Sequence, residues 1–154
     1  MKVASVWVGK DRVQWADAAH HEYARRLPKH LGFREISLKP TPFRGDVDAV
    51  RSDEATRILA KLGDGDRLIA LDERGIDLDS HGFASLIDSA AKAGTKRLVF
   101  AIGGPYGHGA EVRDRAWKTL KLSSLVLNHS LARVVLSEQL YRASTLLWGG
   151  QYHH

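Results

Sequence analysis

Cysteine is absent from this chain of 154 residues, so disulfide bonds, thiolate metal sites and cysteine-based catalysis are excluded. A chain without cysteine fits a reducing compartment best, although it does not require one. No apolar run approaches the ~20 residues that a membrane-spanning helix needs. The first residues enter a strand-like segment directly, without the apolar core and cleavage site of a secretory signal. We expect neither a membrane partner nor a bound metal ion.

The excess of one charge sign is small. The chain has 23 Lys and Arg residues against 18 Asp and Glu residues, which gives a formal net charge of +5 and a pI of about 9.6. Such a charge favours polyanionic partners such as RNA or DNA. Many basic proteins bind no nucleic acid, however, so the charge alone does not decide the function.

Short apolar runs alternate with segments of helical periodicity along the chain. Continuous apolar runs are typical of strands that are buried on both faces of a parallel sheet. We therefore predict an α/β fold in which residues 1–154 form one domain, a parallel sheet with helices on both faces. In this interpretation residues 72–75 close the third strand and Ser80 caps the third helix. The predicted strands are 3–8, 33–38, 68–71 and 98–102, and the predicted helices are 13–27, 47–62, 80–93, 110–120 and 131–147.

The segment with the strongest functional signal is Gly-Gly-Pro-Tyr-Gly-His-Gly at residues 103–109. It directly follows the predicted strand 98–102, and glycine-rich turns at the carboxyl ends of strands are where open α/β sheets bind ligands. The segment lacks the Lys and Ser/Thr of a phosphate-binding P-loop and does not fit G-x-G-x-x-G, which disfavours a nucleoside triphosphate or a dinucleotide. A tight turn without a ligand remains the alternative.

A second candidate is Leu-Ser-Ser-Leu-Val-Leu at residues 122–127. As a strand or extended loop it offers backbone N–H and C=O groups to the edge of an adenine while its leucines cover the ring faces. A plain core strand explains the same residues equally well.

The last helix and the end of the chain hold the remaining candidates. Arg142 follows Glu138 by four residues, so it is either half of an ion pair on the helix or a guanidinium that faces a phosphate or a base. Tyr152, His153 and His154 end the chain, and the two histidines suit a general base, a metal pair or the remnant of an affinity tag. Chain ends are often disordered, which is the simplest alternative.

Several of these segments carry a family resemblance when they are taken together. They are Ile-Gly-Gly-Pro at 102–105, Leu-Ser-Ser at 122–124, His129, Arg133, Glu-Gln-Leu-Tyr-Arg-Ala at 138–143, and Tyr152 with His153. The chain resembles the RlmH family of SPOUT-class methyltransferases, which act on N3 of a pseudouridine in 23S ribosomal RNA. The resemblance spans the whole chain and is most specific over its final third. The sequences at 72–75, 104–109 and 128–129 resemble those of the family members found in plants and their organelles.

The resemblance implies a fold, a cofactor and partners. It implies a C-terminal trefoil knot that binds S-adenosylmethionine, a homodimer, and a substrate that is 23S rRNA in the large ribosomal subunit or in the assembled ribosome. It also implies that the tail takes part in catalysis and substrate binding. Our hypothesis is that His153 is the general base, because an imidazole titrates near neutral pH, that Tyr152 positions or stacks on the base, and that Arg142 holds a phosphate or the developing oxyanion. The implied compartment is the cytoplasm for a bacterial chain and the chloroplast or another organelle for a plant chain. The cofactor contacts carried over are Leu71, Gly103, Leu122, Ser123, Ser124, Leu125, Val126 and Leu127.

The chain also departs from many bacterial members of that family. Asn128 and Gln151 stand where proline is usual, Tyr106 where glutamate is usual, and His154 where arginine is usual. We expect activity to survive these changes, and the alternatives are another SPOUT RNA methyltransferase or a non-catalytic ribosome-binding factor with the same fold. The residues expected to follow the RNA backbone are Arg25, Arg26, Lys29, Arg44, Arg113, Arg115 and Lys118.

Overall fold

The structure is a computed structural model, and it describes residues 1–9 and 13–152. Apolar runs form its strands because they are buried on both faces; every residue of the strand 97–102 after its first is buried. Strands are β1 Lys2–Val8, β2 Arg34–Leu38, β3 Asp66–Asp77, β4 Arg97–Ile102 and β5 Lys118–Lys121. Helices are α1 Gln14–Ala24, α2 Val47–Leu59, α3 Ser80–Lys92, α4 Ala110–Arg115 and α5 His129–Trp148, with a 3₁₀ turn at Lys29–Leu31.

All five strands lie parallel in one sheet, in the order β2-β1-β4-β3-β5. One face packs against α1, α3 and α5 around Phe100 and Leu136, and the other packs against α2 and α4 around Val99 and Ile58. The predicted α/β fold, a parallel sheet with helices on both faces, is confirmed. The knot implied by the resemblance stays a prediction.

Strand β3 is longer than the sequence predicts. The turn expected at 72–75 is wrong, because the strand continues to Asp77 and pairs Ile76 with Leu120 after a shift in register. A Cβ atom on Gly75 would lie 2.4 Å from the carbonyl carbon of Leu120, so only glycine allows the two strands to come this close. Pairing between distant segments therefore overrides the local turn signal of Asp72 and Gly75.

The fourth helix is shorter than predicted. It ends at Arg115, and the backbone N–H of Trp117 donates to the carbonyl of Leu68 at 2.8 Å, which begins the pairing of β5 with β3. The prediction of a helix to residue 120 is wrong because its last residues complete the sheet instead.

The caps of the long helices also refine the prediction. Asp79, not Ser80, caps α3, and its Oδ1 accepts a hydrogen bond from the N–H of Gly82 at 2.7 Å. Asn128 caps α5 by accepting from the N–H of Leu131 at 2.9 Å. Among the helices of the described residues, none combines the length and hydropathy needed to cross a bilayer.

Candidate functional site

A cavity of about 870 Å³ opens at the carboxyl edge of β3 and β4, and we call it the crevice. Leu71 and Ile102 form the last pair between these two strands, so residues 72–74 of β3 and the loop that follows β4 meet at one place. The glycine-rich loop 103–108 forms one wall, and residues 121–129 form another. Parallel strands commonly place their ligands at such an edge, and the volume lies in the range of small-molecule sites, roughly 300–1,000 Å³.

Seven of the eight predicted cofactor residues line the crevice. Ser124 is the exception, since it belongs to the same wall but does not line the cavity, and its Oγ lies 3.5 Å from Nζ of Lys121. The seven are Leu71, Gly103, Leu122, Ser123, Leu125, Val126 and Leu127.

The glycine-rich loop folds back on itself beside the crevice. The N–H of Gly107 donates to the carbonyl of Gly104 at 3.0 Å, and Gly107 has a φ of 73°, which side chains other than glycine rarely adopt. A Cβ atom on Gly103 would lie 3.0 Å from the carbonyl carbon of Gly107. The first glycine of the loop therefore brings bare backbone to the crevice wall, which suits close approach to a ligand.

Residues 122–128 of the opposite wall contain bends but no helix or strand. Their backbone groups are therefore not committed to a helix or a sheet ladder, and Ser123 Oγ accepts from the N–H of Leu125 at 2.9 Å. Leu125 and Val126 are 77% and 82% exposed, although both are apolar. A ligand or another chain that covered these side chains would gain their burial free energy.

A paired carboxylate lies at the mouth of the crevice. The side chain of Asp72 is nearly buried and accepts hydrogen bonds from the N–H and the Nε of Arg74, both at 3.0 Å, while Arg113 Nη1 lies 3.6 Å away. Burial alone raises the pKa of Asp72, but the bonds from Arg74 and the charge of Arg113 outweigh it, so the pKa lies below its usual value. Asp72 is thus ionised at neutral pH.

Two further titratable groups lie behind the glycine-rich loop. His108 is buried, its Nε2 lies 3.0 Å from the carbonyl oxygen of Ala101, and its Nδ1 has no hydrogen-bond partner among the described residues. Burial lowers the pKa of His108 and raises that of Glu54, which accepts from the N–H of Thr41 at 3.0 Å. Burial thus favours the neutral form of both groups.

The end of the described chain packs on α1 and α5. The hydroxyl of Tyr152 lies 3.2 Å from Oε1 of Glu138 and 3.5 Å from the hydroxyl of Tyr23, and its ring lies 4.6 Å from that of Tyr141. The guanidinium of Arg142 lies 4.8 Å from the Tyr152 ring centroid and donates to Glu138 at 2.6 Å. We call these five residues the tail cluster.

The tail cluster contains one of the two alternatives predicted for Arg142. The ion pair of Arg142 with Glu138 is present, and the same guanidinium also faces Tyr152. The hydrogen bond with Tyr23, partial burial and the negative charge of Glu138 together raise the pKa of Tyr152. Its phenol is therefore protonated at neutral pH and can donate a hydrogen bond.

Within one chain, the crevice is not brought together with Arg142 and Tyr152, two of the predicted catalytic residues. Neither Arg142 nor Tyr152 lines the crevice, and His153 lies outside the described residues, as does His154. No three His, Cys, Asp or Glu side chains within 1–9 and 13–152 are grouped so as to hold a metal ion.

Sequence reasoning missed a buried charge network beneath the start of α5. Arg133 is 2% exposed, donates through Nε to Glu35 at 2.5 Å, and pairs through Nη1 with Asp17. Its guanidinium also lies 4.7 Å from the ring centroid of Trp7, which in turn lies 5.9 Å from that of His129 on the crevice wall. The available signal was an arginine inside the otherwise apolar stretch 131–136 of α5. The network fixes the first turn of α5 against α1, β1 and β2.

The chain is similar to known proteins over its full length. The family model described as "Predicted SPOUT methyltransferase" matches residues 1–153. A protein of Trichlorobacter lovleyi named Ribosomal RNA large subunit methyltransferase H is 42% identical over 154 residues, which is 100% of both chains. A protein of the same name from an Anaeromyxobacter species is 41% identical over 153 residues, 99% of both chains.

A plant protein is similar as well. A protein of Arabidopsis thaliana, whose name assigns it provisionally to the RNA methyltransferases, is 41% identical over 155 residues, which covers 100% of this chain and 80% of the plant protein. Together with the parallel sheet and the glycine-walled crevice at its carboxyl edge, these similarities establish that the chain belongs to the SPOUT methyltransferase family.

Proposed function

We propose that the protein transfers a methyl group from S-adenosylmethionine to N3 of a pseudouridine in the large-subunit ribosomal RNA. The observation that carries the proposal is the crevice, in which Gly103 and residues 122–127 form facing walls. The names of the bacterial relatives, which specify a large-subunit rRNA methyltransferase, support the substrate class.

The residues of the crevice fit the proposed cofactor. Leu71, Leu122 and Leu127 supply apolar surface for a purine, and the irregular backbone of 122–127 supplies hydrogen-bonding groups for its edge. The bare backbone at Gly103 admits a ligand where a side chain would crowd the loop. Bound there, S-adenosylmethionine supplies an electrophilic methyl group on a sulfonium, and we infer that a knotted C-terminal segment frames this site.

The rest of the chemistry belongs to the chain's own side chains. N3 of the base gains the methyl group and loses its imide proton, which His153 takes as the general base because an imidazole titrates near neutral pH. Tyr152 orients the base, and the guanidinium of Arg142 stabilises the oxygen on which negative charge develops. The hydrogen bonds that Glu138 accepts from Arg142 and Tyr152 hold these two side chains in position before substrate binds.

The separation of the tail cluster from the crevice supports a homodimeric enzyme. Leu125 and Val126 are exposed on the crevice wall. A second copy of the chain would bury them and would also bring its own residues 152–154 to the crevice. In this arrangement the crevice of one protomer works with Arg142, Tyr152 and His153 of its partner. Homo-oligomers with two-fold symmetry form two such composite sites.

The proposed RNA path starts at the crevice mouth. Arg113, one of the cations expected to follow the backbone, lies there beside Arg74 and Asp72. Arg25 and Arg26 flank the tail cluster, where Arg26 lies 5.8 Å from the ring centroid of Tyr141. We expect the substrate to be the large subunit or the assembled ribosome, in the cytoplasm for a bacterial chain and in an organelle for a plant chain.

The test is methylation of large subunits and of ribosomes that lack the modification, with S-adenosylmethionine labelled in its methyl group. We expect label in one nucleotide, which mapping by nuclease digestion and mass spectrometry should identify as a pseudouridine methylated at N3. Label at another nucleotide would indicate a different SPOUT RNA methyltransferase. Binding to ribosomes without affinity for S-adenosylmethionine in calorimetry would indicate a non-catalytic ribosome-binding factor.

A further inference from the structure

Two aromatic side chains form an exposed pair at the rim of the crevice. Phe43, in the loop between β2 and α2, is 54% exposed, and Tyr106, in the glycine-rich loop, is 38% exposed. Their ring centroids lie 5.8 Å apart with an angle of 38° between the ring planes. Tyr106 lines the crevice, whereas Phe43 lies outside it, so the pair leads from the cofactor site to the surface.

Helix α2 holds the loop that carries Phe43. Thr41 donates through its backbone N–H to Oε1 of Glu54 at 3.0 Å and pairs through its hydroxyl with Asp53. Arg57 donates to the carbonyl oxygen of Lys39 at 2.7 Å and to Oγ1 of Thr41 at 2.6 Å. These bonds anchor the loop two residues before Phe43.

The same helix holds the loop that carries Tyr106. Arg51 on α2 donates through Nε to the carbonyl oxygen of Tyr106 at 2.8 Å. Beneath the loop, a Cβ atom on Gly104 would lie 2.8 Å from Oε2 of Glu54, which shows how tightly the loop packs on α2. Helix α2 therefore holds the backbone of both loops that carry the pair.

Three arginines lie near the pair on the side that faces the crevice. Arg44, in the loop between β2 and α2, is exposed, and the side chains of Arg51 and Arg74, which both line the crevice, are 39% and 61% exposed. Two of them have acidic partners, since Oδ1 of Asp48 lies 3.5 Å from Arg51 and Oδ1 of Asp72 lies 3.0 Å from Arg74. Exposed aromatic faces next to arginines are the combination with which proteins bind unpaired nucleotides, by stacking on the base and pairing with the phosphate.

We propose that Phe43 and Tyr106 form a stacking platform for an unpaired RNA base next to the methylated nucleotide, with Arg44 and Arg74 bound to the adjoining phosphates. The inference rests on the proposed function for the identity of the RNA. A platform beside the crevice holds the neighbouring nucleotide and so presents the target base to the site.

The test compares Phe43→Ala, Phe43→Leu and Phe43→Trp with the wild type. The leucine variant keeps an apolar side chain but removes the aromatic face, and the tryptophan variant keeps and enlarges that face. One measurement is the dissociation constant for unmodified large ribosomal subunits, by filter binding without turnover. A second is the KM for the same subunits in methyl transfer, together with the dissociation constant for S-adenosylmethionine.

We expect the alanine and leucine variants to bind subunits about five- to a hundredfold more weakly, the effect of removing one stacked base. Phe43→Trp should bind at least as tightly as the wild type, and all variants should bind S-adenosylmethionine within about twofold of the wild type, because Phe43 lies outside the crevice. At position 106, Tyr106→Phe should keep subunit binding and Tyr106→Ala should lose it.

Binding of Phe43→Ala and Phe43→Leu at the wild-type affinity would overturn the platform, as would a wild type without affinity for large subunits. Weaker binding of Phe43→Trp, equal to that of the leucine variant, would overturn stacking as well. The binding assay does not depend on turnover. A wild type that binds subunits through Phe43 but transfers no methyl group would refute the proposed function and leave the platform standing.

Discussion

The crevice and the tail cluster differ in where their parts come from. The crevice is assembled from the loops that follow β4 and β5, from residues 71–74 of β3 and from the start of α5, so the sheet itself fixes its walls. The tail cluster is formed by residues of α1, of α5 and of the end of the described chain. It lies on the side of the sheet where α1, α3 and α5 pack. The crevice supplies backbone and apolar surface, whereas the tail cluster supplies a guanidinium, a carboxylate and phenols.

Under the proposed function, cofactor binding and catalysis therefore use different residues of the chain. A cofactor site can be complete in one protomer because parallel strands deliver all of its walls. Arg142 and Tyr152 do not line the crevice, so under the proposed function they act on a base that is bound beside the crevice of the partner chain. The comparison therefore predicts that substitutions in the two regions affect different measured quantities.

The largest expected effect separates turnover from cofactor binding. His153→Ala should lower kcat by about 10²- to 10⁴-fold, because it removes the proposed general base. Its affinity for S-adenosylmethionine in calorimetry should stay unchanged. His154→Ala is the matched control and should retain most activity. Methylation by His153→Ala at the wild-type rate would remove His153 as the base.

A change in the crevice should do the reverse. Gly103→Val places a branched side chain where even a Cβ atom would lie 3.0 Å from Gly107, so binding of S-adenosylmethionine should weaken at least about tenfold. Gly63→Val is the control, since its nearest neighbour would be Oδ2 of Asp66 at 3.8 Å. Calorimetry measures both, and equal affinities in the two variants would show that Gly103 does not touch the ligand.

A smaller effect is expected from the charge of the tail cluster. Glu138→Gln keeps the size of the side chain but removes the charge that holds Arg142 and accepts from Tyr152. Hydrogen bonds to charged groups contribute about 1.5–3 kcal/mol, so we expect kcat to fall roughly tenfold with cofactor affinity unchanged. A lower cofactor affinity in this variant would contradict the separation of the two regions.

The smallest effect concerns stability below neutral pH. The pKa of His108 is lowered in the folded protein, so between that value and about 6.5 the unfolded chain binds more protons. Stability is therefore fully present above about pH 6.5 and is lost as the pH falls, by at most ~1.4 kcal/mol per unit from this group.

Urea midpoints at pH 7, 6 and 5 measure this effect. His20 contributes with the same sign, because burial lowers its pKa too, against the opposing charge of Glu35. His108→Gln keeps a donor for the carbonyl of Ala101 and should flatten the pH dependence. An unchanged slope in this variant would show that His108 is not the titrating group.

Local chemistry accounts for what the sequence predicts well. Runs such as 98–102 become buried strands, and the glycine-rich loop lies at the end of one of them because parallel strands deliver their loops to one edge. Pairing of distant segments accounts for the errors. Residues 118–120, which the sequence predicts as the end of α4, form β5 instead. Strand β3 continues past the turn signal at Gly75 because Leu120 pairs with Ile76.

The site divides in the same way. Local motifs single out Gly103 and residues 122–127, and the family resemblance adds Leu71; all of these except Ser124 line the crevice, because they lie near strand ends. The contact of Phe43 with Tyr106 has no local signal, and the apolar neighbours of Arg133 indicate its burial but not its partner Glu35, since each pair joins segments far apart in the chain. Such pairs follow from the packing of the helices on the sheet.

The most direct test of a site shared by two chains is complementation between two inactive variants. Gly103→Val lacks a working crevice and His153→Ala lacks a working tail, and the two are unfolded, mixed in equal amounts and refolded together. Random pairing into two-fold dimers leaves about one quarter of all sites with both halves intact. We predict about a quarter of the wild-type methylation rate; a rate no higher than the mean of the two variants assayed alone would contradict the account.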